Sequence, residues 1–385
     1  MFDLVIVHSE DPDTEGAIEE LLEVAREQLG DAEVKGGVVF AGIDHDHEQL
    51  LGSLCDAFPG IALIGCSTDG EVSSEVGFAE DSIVLLLFVG DSISVGVGLG
   101  REVSKDVAAA AKVAVEQARE GLDGPPRLCL TTPEALTCDV AALVRSLRGL
   151  LGEELPVIGG TAGDQCRFKR VLQFCGREVV SDAVPVLLIA GDLLVSHGVA
   201  SGWTLIGKPG VATVHGNVLT RVGDMTAIEF YQHYLGPDVF PTGEYPLAVL
   251  VGDGDGDEFY LRAPQGYDLE SGSVIYAGTI PQGASVQLTT GTRDAIIEAT
   301  KSSVDRAIKG YPGSSPKGAL VFSCAARKQL LGTRTPEEYT LLKGSQIGDL
   351  PFCGFYAYGE VSPVRAGEAP HFHNETFITL LLGTE

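Results

Sequence analysis

The stretch LIGCSTDGE, Leu63–Glu71, decides the fold because two later stretches repeat its pattern. These are VIGGTAGD, Val157–Asp164, and FCGFYAYGE, Phe352–Glu360. In each of them, two mostly apolar residues lead to a glycine, then to small or aromatic polar residues and an acidic residue. A pattern that recurs along a chain indicates a structural unit that recurs with it. We therefore interpret the three stretches as equivalent turns.

The segments around the three turns also follow one order. Each turn is preceded by a short apolar run and then a predicted helix, at HEQLLGSLCDAF, CDVAALVRSLRGLLG and TPEEYTLLKGSQ. Each turn is followed by a continuous apolar strand, at SIVLLLFVG, AVPVLLIAG and ETFITLLLG. This order predicts an α/β protein of two modules, in which mixed β-sheets flanked by helices are built from repeated strand-helix-strand-strand units.

A second pairing and a composition change divide the chain. The segment SISVGVGLGREVSKDVAAAAKVAVEQA resembles ASVQLTTGTRDAIIEATKSSVDRA, since both run from an alternating strand through a glycine turn into an amphipathic helix. Glycine and proline cluster between Ser196 and Gly210, and a strand and helix with no earlier match follow. These residues predict a boundary between a module at 1–205 and a module at 206–385.

Composition limits the partners and the compartment. The 385 residues include 26 Lys and Arg against 54 Asp and Glu, which gives a net charge of −28. An anionic surface repels nucleic acid and anionic lipid, so neither is an expected partner. No apolar run is long enough for a membrane helix, and the N-terminus lacks the features of a signal peptide. The eight cysteines contain no C-x-x-C pair, which favours buried thiols in a cytoplasmic protein without membrane insertion.

Two acidic or histidine-rich stretches resemble metal sites without matching one. The stretch HDHE, His45–Glu48, is interpreted as a solvated loop leading into a helix, because no second cluster with suitable spacing accompanies it. The stretch GDGDGDE, 252–258, departs from a calcium loop at Glu258 and Pro264, so we interpret it as an acidic hairpin turn. We therefore predict no metal site.

The glycine turns and the C-terminal motifs point to a polar small molecule. The turns can present backbone N–H groups to a ligand, although no phosphate-binding fingerprint is present. Arg327 can bind a carboxylate, Glu360 can bind an ammonium, and Tyr356 and Tyr358 offer flat apolar faces, a combination that suits a zwitterion. The alternative is a structural ion pair between Arg327 and Glu360, with both tyrosines as ordinary strand residues. These residues alone leave both readings open.

Cys66 has a conservative and a catalytic interpretation. The equivalent residues in the other turns are Gly160 and Phe355, so the repeated feature is the glycine turn, and Cys66 is predicted to line a site or to be buried. One alternative hypothesis is an enzyme that uses Cys66 or Cys324 on an amide or thioester.

Another alternative is a haem protein that senses nitric oxide. Its axial ligand would be a histidine, with His197, His215 and His233 as candidates. We otherwise expect no cofactor.

Five stretches together resemble the FIST domain family: GCSTDGE, SGWTLIGKPGVATVHGNVLTRVGDMTAIEFYQHYLG, FSCAARKQLLG, GFYAYGEVSP and HNETFITLLL. The resemblance spans nearly the whole chain and implies an intracellular sensory module that binds a small ligand, with amino acids as the leading candidates. Family members are often joined to, or encoded beside, histidine kinases, cyclic-dinucleotide enzymes or chemotaxis proteins, and some bind haem. We therefore expect a stand-alone sensor that signals to a partner such as a histidine kinase or cyclic-dinucleotide enzyme.

The resemblance also implies a set of ligand-binding positions. The first module supplies Cys66, Ser67, Thr68 and Glu71, and the second supplies Arg262, Cys324, Arg327, Tyr356, Tyr358, Glu360, Asn374 and Thr376. The second repeated turn adds Thr161 and Asp164. No catalytic residue is predicted. The sequence departs from the usual CAGR of the family at Ala326, which adds a methyl group near the predicted pocket.

Overall fold

A computed structural model describes residues 2–251 and 259–385. The first of three similar units contains β1 (Phe2–Ser9), α1 (Thr14–Leu29), β2 (Val34–Ala41), α2 (His47–Ala57), β3 (Ala62–Ser67), β4 (Glu71–Ser73), β5 (Gly77–Ala79) and β6 (Ile83–Gly90). The second contains β7 (Ile93–Arg101), α3 (Val107–Glu120), β8 (Pro126–Thr131), α4 (Val140–Leu151), β9 (Val157–Gly160), β10 (Gln173–Cys175), β11 (Glu178–Val180) and β12 (Ala183–Gly191).

The third unit is interrupted by an inserted sheet. After β13 (Leu194–Ala200), the insertion contains β14 (Trp203–His215), β15 (Val218–Val222), β16 (Met225–Thr226), α5 (Ala227–Leu235), β17 (Leu247–Leu250), β18 (Phe259–Arg262), β19 (Pro264–Asp268), β20 (Ser273–Tyr276) and β21 (Ser285–Gly291). The unit resumes with α6 (Arg293–Gly310), β22 (Gly318–Cys324), α7 (Ala325–Leu331), a 3₁₀ turn (Gly332–Arg334), α8 (Pro336–Lys343), β23 (Phe352–Ala357), β24 (Glu360–Pro363), β25 (Pro370–His373) and β26 (Phe377–Gly383).

Each unit forms the same mixed sheet, which confirms the predicted fold class and the repeat. The strand orders are β1-β6-β2-β3, β7-β12-β8-β9 and β13-β26-β22-β23. In all three the last two strands are parallel and the other neighbours are antiparallel. A parallel pair needs a crossover, and the predicted helices supply it.

The three sheets exchange their hairpins in a cycle. The hairpin β10–β11 of the second unit extends the first sheet, β24–β25 of the third unit extends the second sheet, and β4–β5 of the first unit extends the third sheet. Each hairpin follows one of the repeated turns along the chain, so the exchange brings the three turns together. No unit completes its own sheet.

The inner faces of the three sheets share one apolar core, and helices pack on the outer faces. Phe40, Phe322 and Phe355 meet in the core, with ring centroids 4.5 Å apart for Phe40 and Phe355 and 5.5 Å apart for Phe322 and Phe355. Strands covered on both faces need continuous apolar sequences, which explains the apolar runs of β6, β12 and β26.

One steric constraint explains the glycine at the third position of each repeated stretch. A Cβ atom would lie 1.8 Å from the carbonyl oxygen of the parallel strand at Gly65, 1.9 Å at Gly159 and 1.6 Å at Gly354. These separations are far below contact distance, so only glycine fits. The repeated glycine is therefore a packing requirement between parallel strands.

The predicted similarity between the two strand–turn–helix segments is confirmed for their helices, α3 and α6, but it is wrong for their strands. The strand before α6, β21, belongs to the inserted sheet, and the structural equivalent of β7 is β13. The glycines agree with this equivalence, since a Cβ at Gly98 or Gly198 would lie 2.0 Å from a carbonyl oxygen of the covering helix. An insertion placed between a strand and its helix produced the false match.

Two further predictions concern the chain as a whole. The modules 1–205 and 206–385 stay a prediction, and β14 runs across the predicted boundary. Of the helices within residues 2–251 and 259–385, none has the length and apolar content needed to cross a membrane.

Of the two stretches that resemble metal sites, HDHE is not a solvated loop as predicted. His45 and His47 are buried, at 7% and 5% exposure, and the carbonyl oxygens of Asp81 and Gly42 accept hydrogen bonds from their rings. The stretch GDGDGDE lies outside the described residues.

Candidate functional site

The three repeated turns meet through backbone hydrogen bonds. The N–H of Asp69 donates to the carbonyl of Tyr356 at 3.0 Å, that of Gly163 to Ser67 at 2.8 Å, and that of Thr161 to Gly359 at 2.9 Å. The structure therefore brings the predicted residues of the three turns into one region. The three turns differ in whether their polar side chains have hydrogen-bond partners.

The first turn is closed by its own hydrogen bonds. The carboxylate of Glu71 accepts from the hydroxyls of Thr68 and Ser82, the latter at 2.6 Å, and His8 Nε2 lies 2.9 Å from Ser82 Oγ. Burial raises the pKa of Glu71 to about 7, against the effect of these hydrogen bonds. Ser67 Oγ donates to the carbonyl of Gly163 at 2.7 Å. These predicted residues therefore stabilise the turn itself.

Cys66 lies in the central core beside this turn and is fully buried. Burial raises the pKa of its thiol, as it does for all eight cysteines. Nucleophilic cysteines need a lowered pKa, so the surroundings of these thiols oppose nucleophilic activity.

The acidic residue of the second turn is also paired. Asp164 accepts from the backbone N–H groups of Phe168, Lys169 and Arg170 at 2.9, 2.8 and 2.9 Å, and from the hydroxyl of Tyr358. Burial acts to raise the pKa of Asp164, but these hydrogen bonds hold it below its ordinary value. Tyr358 stacks on Phe168 with ring centroids 4.7 Å apart.

Arg327 is part of a buried ion pair. Its guanidinium donates to Glu338 Oε1 at 2.5 Å, to the carbonyl of Ser201 at 2.8 Å and to that of Ile296 at 2.7 Å. Glu338 also accepts from the hydroxyl of Tyr356 at 2.6 Å. The sequence offered a structural ion pair as the alternative role of Arg327. The ion pair is present, but its acidic partner is Glu338 and not Glu360. Arg327 and Tyr356 do not face an open pocket.

The acidic residue of the third turn and the segment before β26 carry polar atoms that lack partners among the described residues. Glu360 Oε2 accepts from the N–H and hydroxyl of Thr376 at 3.2 and 2.7 Å, whereas Oε1 has no partner in residues 2–251 and 259–385. Glu375 is fully buried, and in the same part of the chain neither of its carboxylate oxygens has a partner. Asn374 Oδ1 accepts from the N–H of Ala263 at 3.2 Å, but its Nδ2 is unpaired.

This concentration of unpaired atoms is unusual. Within the described part of the chain, eight buried side-chain nitrogen or oxygen atoms lack a hydrogen-bond partner, and six of them belong to Thr161, Glu360, His373, Asn374 and Glu375. Buried polar groups in folded proteins are nearly always paired, and exceptions indicate a group that acts on a ligand or an unseen solvent molecule.

Burial opposes ionisation of both carboxyl groups. It raises the pKa of Glu360 to about 8, and burial together with the neighbouring Glu360 raises the pKa of Glu375 well above its ordinary value. Burial and the same two carboxyl groups raise the pKa of the Cys324 thiol. Burial also lowers the pKa of His373 to about 3, so its ring is neutral. The environment therefore disfavours charge throughout the cluster.

A cavity of about 440 Å³ ends at this cluster. His373 and Thr376 line it from the third unit, Trp203, Phe259 and Leu261 from the inserted sheet, and Ala295, Glu298, Ala299, Ser302 and Arg306 from α6. Its walls are apolar on the side of the insertion and polar along α6. A cavity with apolar walls and a few polar groups is typical of small-molecule sites.

The insertion lies against the segment that precedes β26. A Cβ on Gly243 would lie 3.5 Å from Glu375 Oε1, which places the insertion directly against this carboxyl group. Arg262 lies 4.5 Å above the ring of Tyr260, and its Nη1 donates to the carbonyl of Phe372 at 2.7 Å. Arg262 was predicted to bind the ligand. In the structure its side chain anchors β25 beneath the insertion.

Sequence reasoning missed Glu375 and His373. Glu375 stands between the predicted residues Asn374 and Thr376, two residues before the apolar strand β26. Its backbone is left-handed, with φ of 60°, and Asp81 and Asp182 have φ of 54° and 53° at the equivalent place before β6 and β12. An acidic residue at this place in every unit was a signal that the repeat could have supplied.

The histidines proposed as haem ligands lie elsewhere. The Nε2 atom of His197 is 3.1 Å from the carbonyl oxygen of Pro363, and the ring of His233 packs edge-on against Tyr234. Among the described residues that line the cavity, the histidine is His373.

Comparison with known proteins identifies the family. The FIST N domain model matches residues 35–225, and the FIST C domain model matches residues 227–363. An uncharacterised protein of Mycobacterium tuberculosis is 27% identical over 235 residues, which cover 57% of this chain and 60% of that protein. An uncharacterised protein of Mycobacterium bovis is 26% identical over 227 residues, which cover 56% of this chain and 58% of that protein. The chain thus spans about three fifths of the length of these relatives.

Among solved structures, a cyanuric acid hydrolase from A. caulinodans aligns over 100% of this chain and 99% of its own, with 9% identity and a TM-score of 0.40. The two family models together cover most of the chain in the expected order. The chain belongs to the FIST family.

Proposed function

We propose that this chain is a sensory module that binds a small polar ligand, an amino acid or a similar molecule, in the cavity between the third unit and the inserted sheet. FIST domains are associated with small-ligand sensing. The observation that carries the proposal is the buried carboxyl group of Glu375. Within the part of the chain that the structure describes, both of its oxygens lack a partner, as do Glu360 Oε1 and Asn374 Nδ2. A ligand with N–H donors and an acceptor would satisfy these atoms.

The charges around the cavity suit a zwitterion. The two buried carboxyl groups can bind an ammonium group, while Arg306, an exposed cation on α6, can bind a carboxylate. Trp203, Phe259 and Leu261 provide an apolar wall for the rest of the molecule. In this proposal Arg306 takes the role that the sequence predicted for Arg327, because Arg327 is already bound to Glu338.

The thiols support binding rather than catalysis. Cys324 adjoins the cluster, but burial and the two neighbouring carboxyl groups raise its pKa, opposite to the shift that a nucleophile requires. A cysteine enzyme at this site would show rapid, selective alkylation of Cys324 at neutral pH, and we expect slow labelling instead.

Signalling requires two arrangements with different affinities for the ligand. The cavity lies between two parts of the chain, so a ligand can favour one position of the inserted sheet relative to α6. We propose that a cytoplasmic partner, such as a histidine kinase or a cyclic-dinucleotide enzyme, responds to that position. A haem-based nitric-oxide sensor is the alternative, and a Soret band after addition of haem to the purified protein would be its signature.

Thermal unfolding against the twenty L-amino acids tests the proposal. A ligand at about a hundred times its Kd stabilises a protein by about 2.7 kcal/mol, which raises the Tm by a few degrees at this size. The shift should vanish in Glu375→Gln. It should persist in Asp81→Asn, the same chemical change at the equivalent, exposed position of the first unit.

Two results would contradict the proposal. One is the absence of a Tm shift with every amino acid and with nucleotides, acyl-thioesters and haem. The other is a shift that survives both Glu375→Gln and Glu360→Gln, which would place the ligand elsewhere in the protein.

A further inference from the structure

We infer that the ligand enters the site as a cation in exchange for a proton held by the Glu360–Glu375 carboxyl pair. This inference rests on the proposed function, and it names the group by which the ligand is recognised. It predicts that ligand affinity depends on pH through Glu360 and Glu375.

The geometry places two carboxyl groups together with too few donors. Thr376, the residue after Glu375, gives both its N–H and its hydroxyl to Glu360 Oε2. The remaining three of the four carboxyl oxygens, Glu360 Oε1 and both oxygens of Glu375, are buried without a partner in the described part of the chain. A carboxylate in this environment loses its hydration and gains no hydrogen bonds in return.

The cationic groups around the pair are engaged elsewhere. Arg327 approaches from α7, but its charge is matched by Glu338 at 2.5 Å. Arg262, from the inserted sheet, donates to the carbonyl groups of Thr279, Leu261 and Phe372.

The other titratable groups facing the pair, Cys324 and His373, are neutral. His373 Nε2 lies 2.8 Å from the carbonyl oxygen of Ser362 and donates to it, so its unpaired Nδ1 is an acceptor.

Arg327 lowers the pKa of both carboxyl groups, but its charge is shared with Glu338, and burial outweighs its effect. Two buried carboxyl groups that share so little positive charge cannot both ionise at ordinary cost, so the free protein retains at least one proton on the pair. The raised pKa values of both residues agree with this state.

The exchange is balanced as a proton transfer to solvent. A protonated carboxyl group and a ligand ammonium become a carboxylate–ammonium pair, and one proton leaves to the buffer. No covalent bond to the ligand forms. Because ligand and proton compete for the same oxygens, affinity rises with pH while the free pair stays protonated, by up to about tenfold per pH unit.

Isothermal titration calorimetry tests the exchange. The probes are the L-amino acids and their decarboxylated amines, with 3-methylbutylamine compared against the neutral 3-methylbutanol. Titrations at pH 6, 7 and 8 in phosphate give the dependence of affinity on pH, and paired titrations near pH 7.5 in phosphate and in Tris, which differ in ionisation enthalpy, report the protons released. We expect release of about one proton for the amines, an affinity that rises about tenfold from pH 6 to pH 7, and no binding of the alcohol.

Variants connect the released proton to the pair. Asp81→Asn should bind and release protons like the unaltered protein, whereas Glu375→Gln and Glu360→Gln should lose the pH dependence. Where a variant no longer binds, infrared difference spectra of the free proteins give a second measurement. The unaltered protein near pH 7 should show a protonated-carboxyl band that is reduced in Glu375→Gln and unchanged in Asp81→Asn, since Glu71 and Glu360 contribute the remainder.

The outcomes separate this inference from the proposed function. Tight binding of an amino acid without proton release, or equal binding of the amine and the alcohol, would overturn the exchange and leave the sensory proposal intact. No binding of any probe would overturn the proposed function together with the exchange. A missing infrared band would overturn the exchange irrespective of ligand.

Discussion

The first and third turns occupy equivalent places in the fold but have opposite hydrogen-bonding states. In the first unit, Glu71 accepts from Thr68 and Ser82, and Asp81 is exposed to solvent. In the third unit, among the described residues, Glu360 keeps one unpaired oxygen, and Glu375, the equivalent of Asp81, is buried with neither oxygen paired. The insertion lies against Glu375, whereas Asp81 is exposed to solvent. A repeated scaffold can thus hold equivalent residues in different environments.

The largest expected effect tests whether the turns are equivalent at all. Gly65→Ala, Gly159→Ala and Gly354→Ala would each place a Cβ within 1.9 Å of a carbonyl oxygen on the neighbouring strand. We expect each to lower the free energy of unfolding by at least about 3 kcal/mol, measured by urea denaturation, because backbone must move.

Gly149→Ala is the matched control. Gly149 lies in α4 with nothing within 4 Å of an added Cβ, so its replacement should be neutral or stabilise by up to about 1 kcal/mol. Tolerance of alanine at one of the three turn positions would show that the units are not equivalent there.

The next effect separates structure from ligand binding at Arg327. Arg327→Ala leaves the buried Glu338 without its cation and should cost about 3–5 kcal/mol in unfolding free energy. Replacing both partners, as Arg327→Met with Glu338→Leu, should recover much of this loss. If Arg327→Ala instead unfolded like the unaltered protein but lost the ligand, the assignment of Arg327 to a structural pair would be wrong.

The fold could be predicted from the sequence where it depends on local order. The repeated turns, the helices before them and the apolar strands after them are all short-range patterns, and the three sheets confirm them. The exchange of hairpins could not be predicted, because it pairs residues far apart, such as Glu71 with Phe355. Nothing in the periodicity of either strand encodes that partner.

The predicted ligand residues stay a prediction, but the structure divides them into two sets. Thr376 lines the cavity and binds Glu360, which lies beside Cys324, whereas Arg327, Tyr356 and Glu71 are paired within the scaffold. Residue type alone could not separate these sets, because an arginine that binds a ligand and one that binds Glu338 look identical in sequence. What distinguishes them is whether a neighbouring element already supplies the partner.

The pH dependence of stability should reveal the buried carboxyl groups. Glu71 and Glu360, with pKa values raised to about 7 and about 8, bind protons more tightly in the folded state. Their stabilisation is present below the unfolded pKa near 4.5 and is lost as pH rises through these values.

Between pH 6.5 and 8 we therefore expect the free energy of unfolding to fall by a few kcal/mol. The buried histidines, whose pKa values are lowered, affect stability below this window. Glu360→Gln should flatten the slope, measured by urea unfolding at each pH. An equal slope in Glu360→Gln would contradict a protonated Glu360.

The smallest effect tests the comparison between the first and third units most directly. A Glu→Gln change should lower the free energy of unfolding in the first unit but not in the third. In Glu71, one carboxylate oxygen accepts from the hydroxyl of Thr68 and the other from that of Ser82. Glu71→Gln replaces one of these oxygens by an NH₂ group, which cannot accept, so at pH 8 one of the two hydroxyls loses its partner. The change should destabilise by about 1–2 kcal/mol. In Glu375→Gln no hydrogen bond is lost, and a buried group that resists ionisation becomes permanently neutral, so unfolding free energy should stay level or rise by about 1 kcal/mol. Because Gln and Glu have nearly the same shape, packing contributes little to either result. Equal destabilisation in both variants would mean that Glu375 has a partner in the free protein, and the third turn would then be as closed as the first.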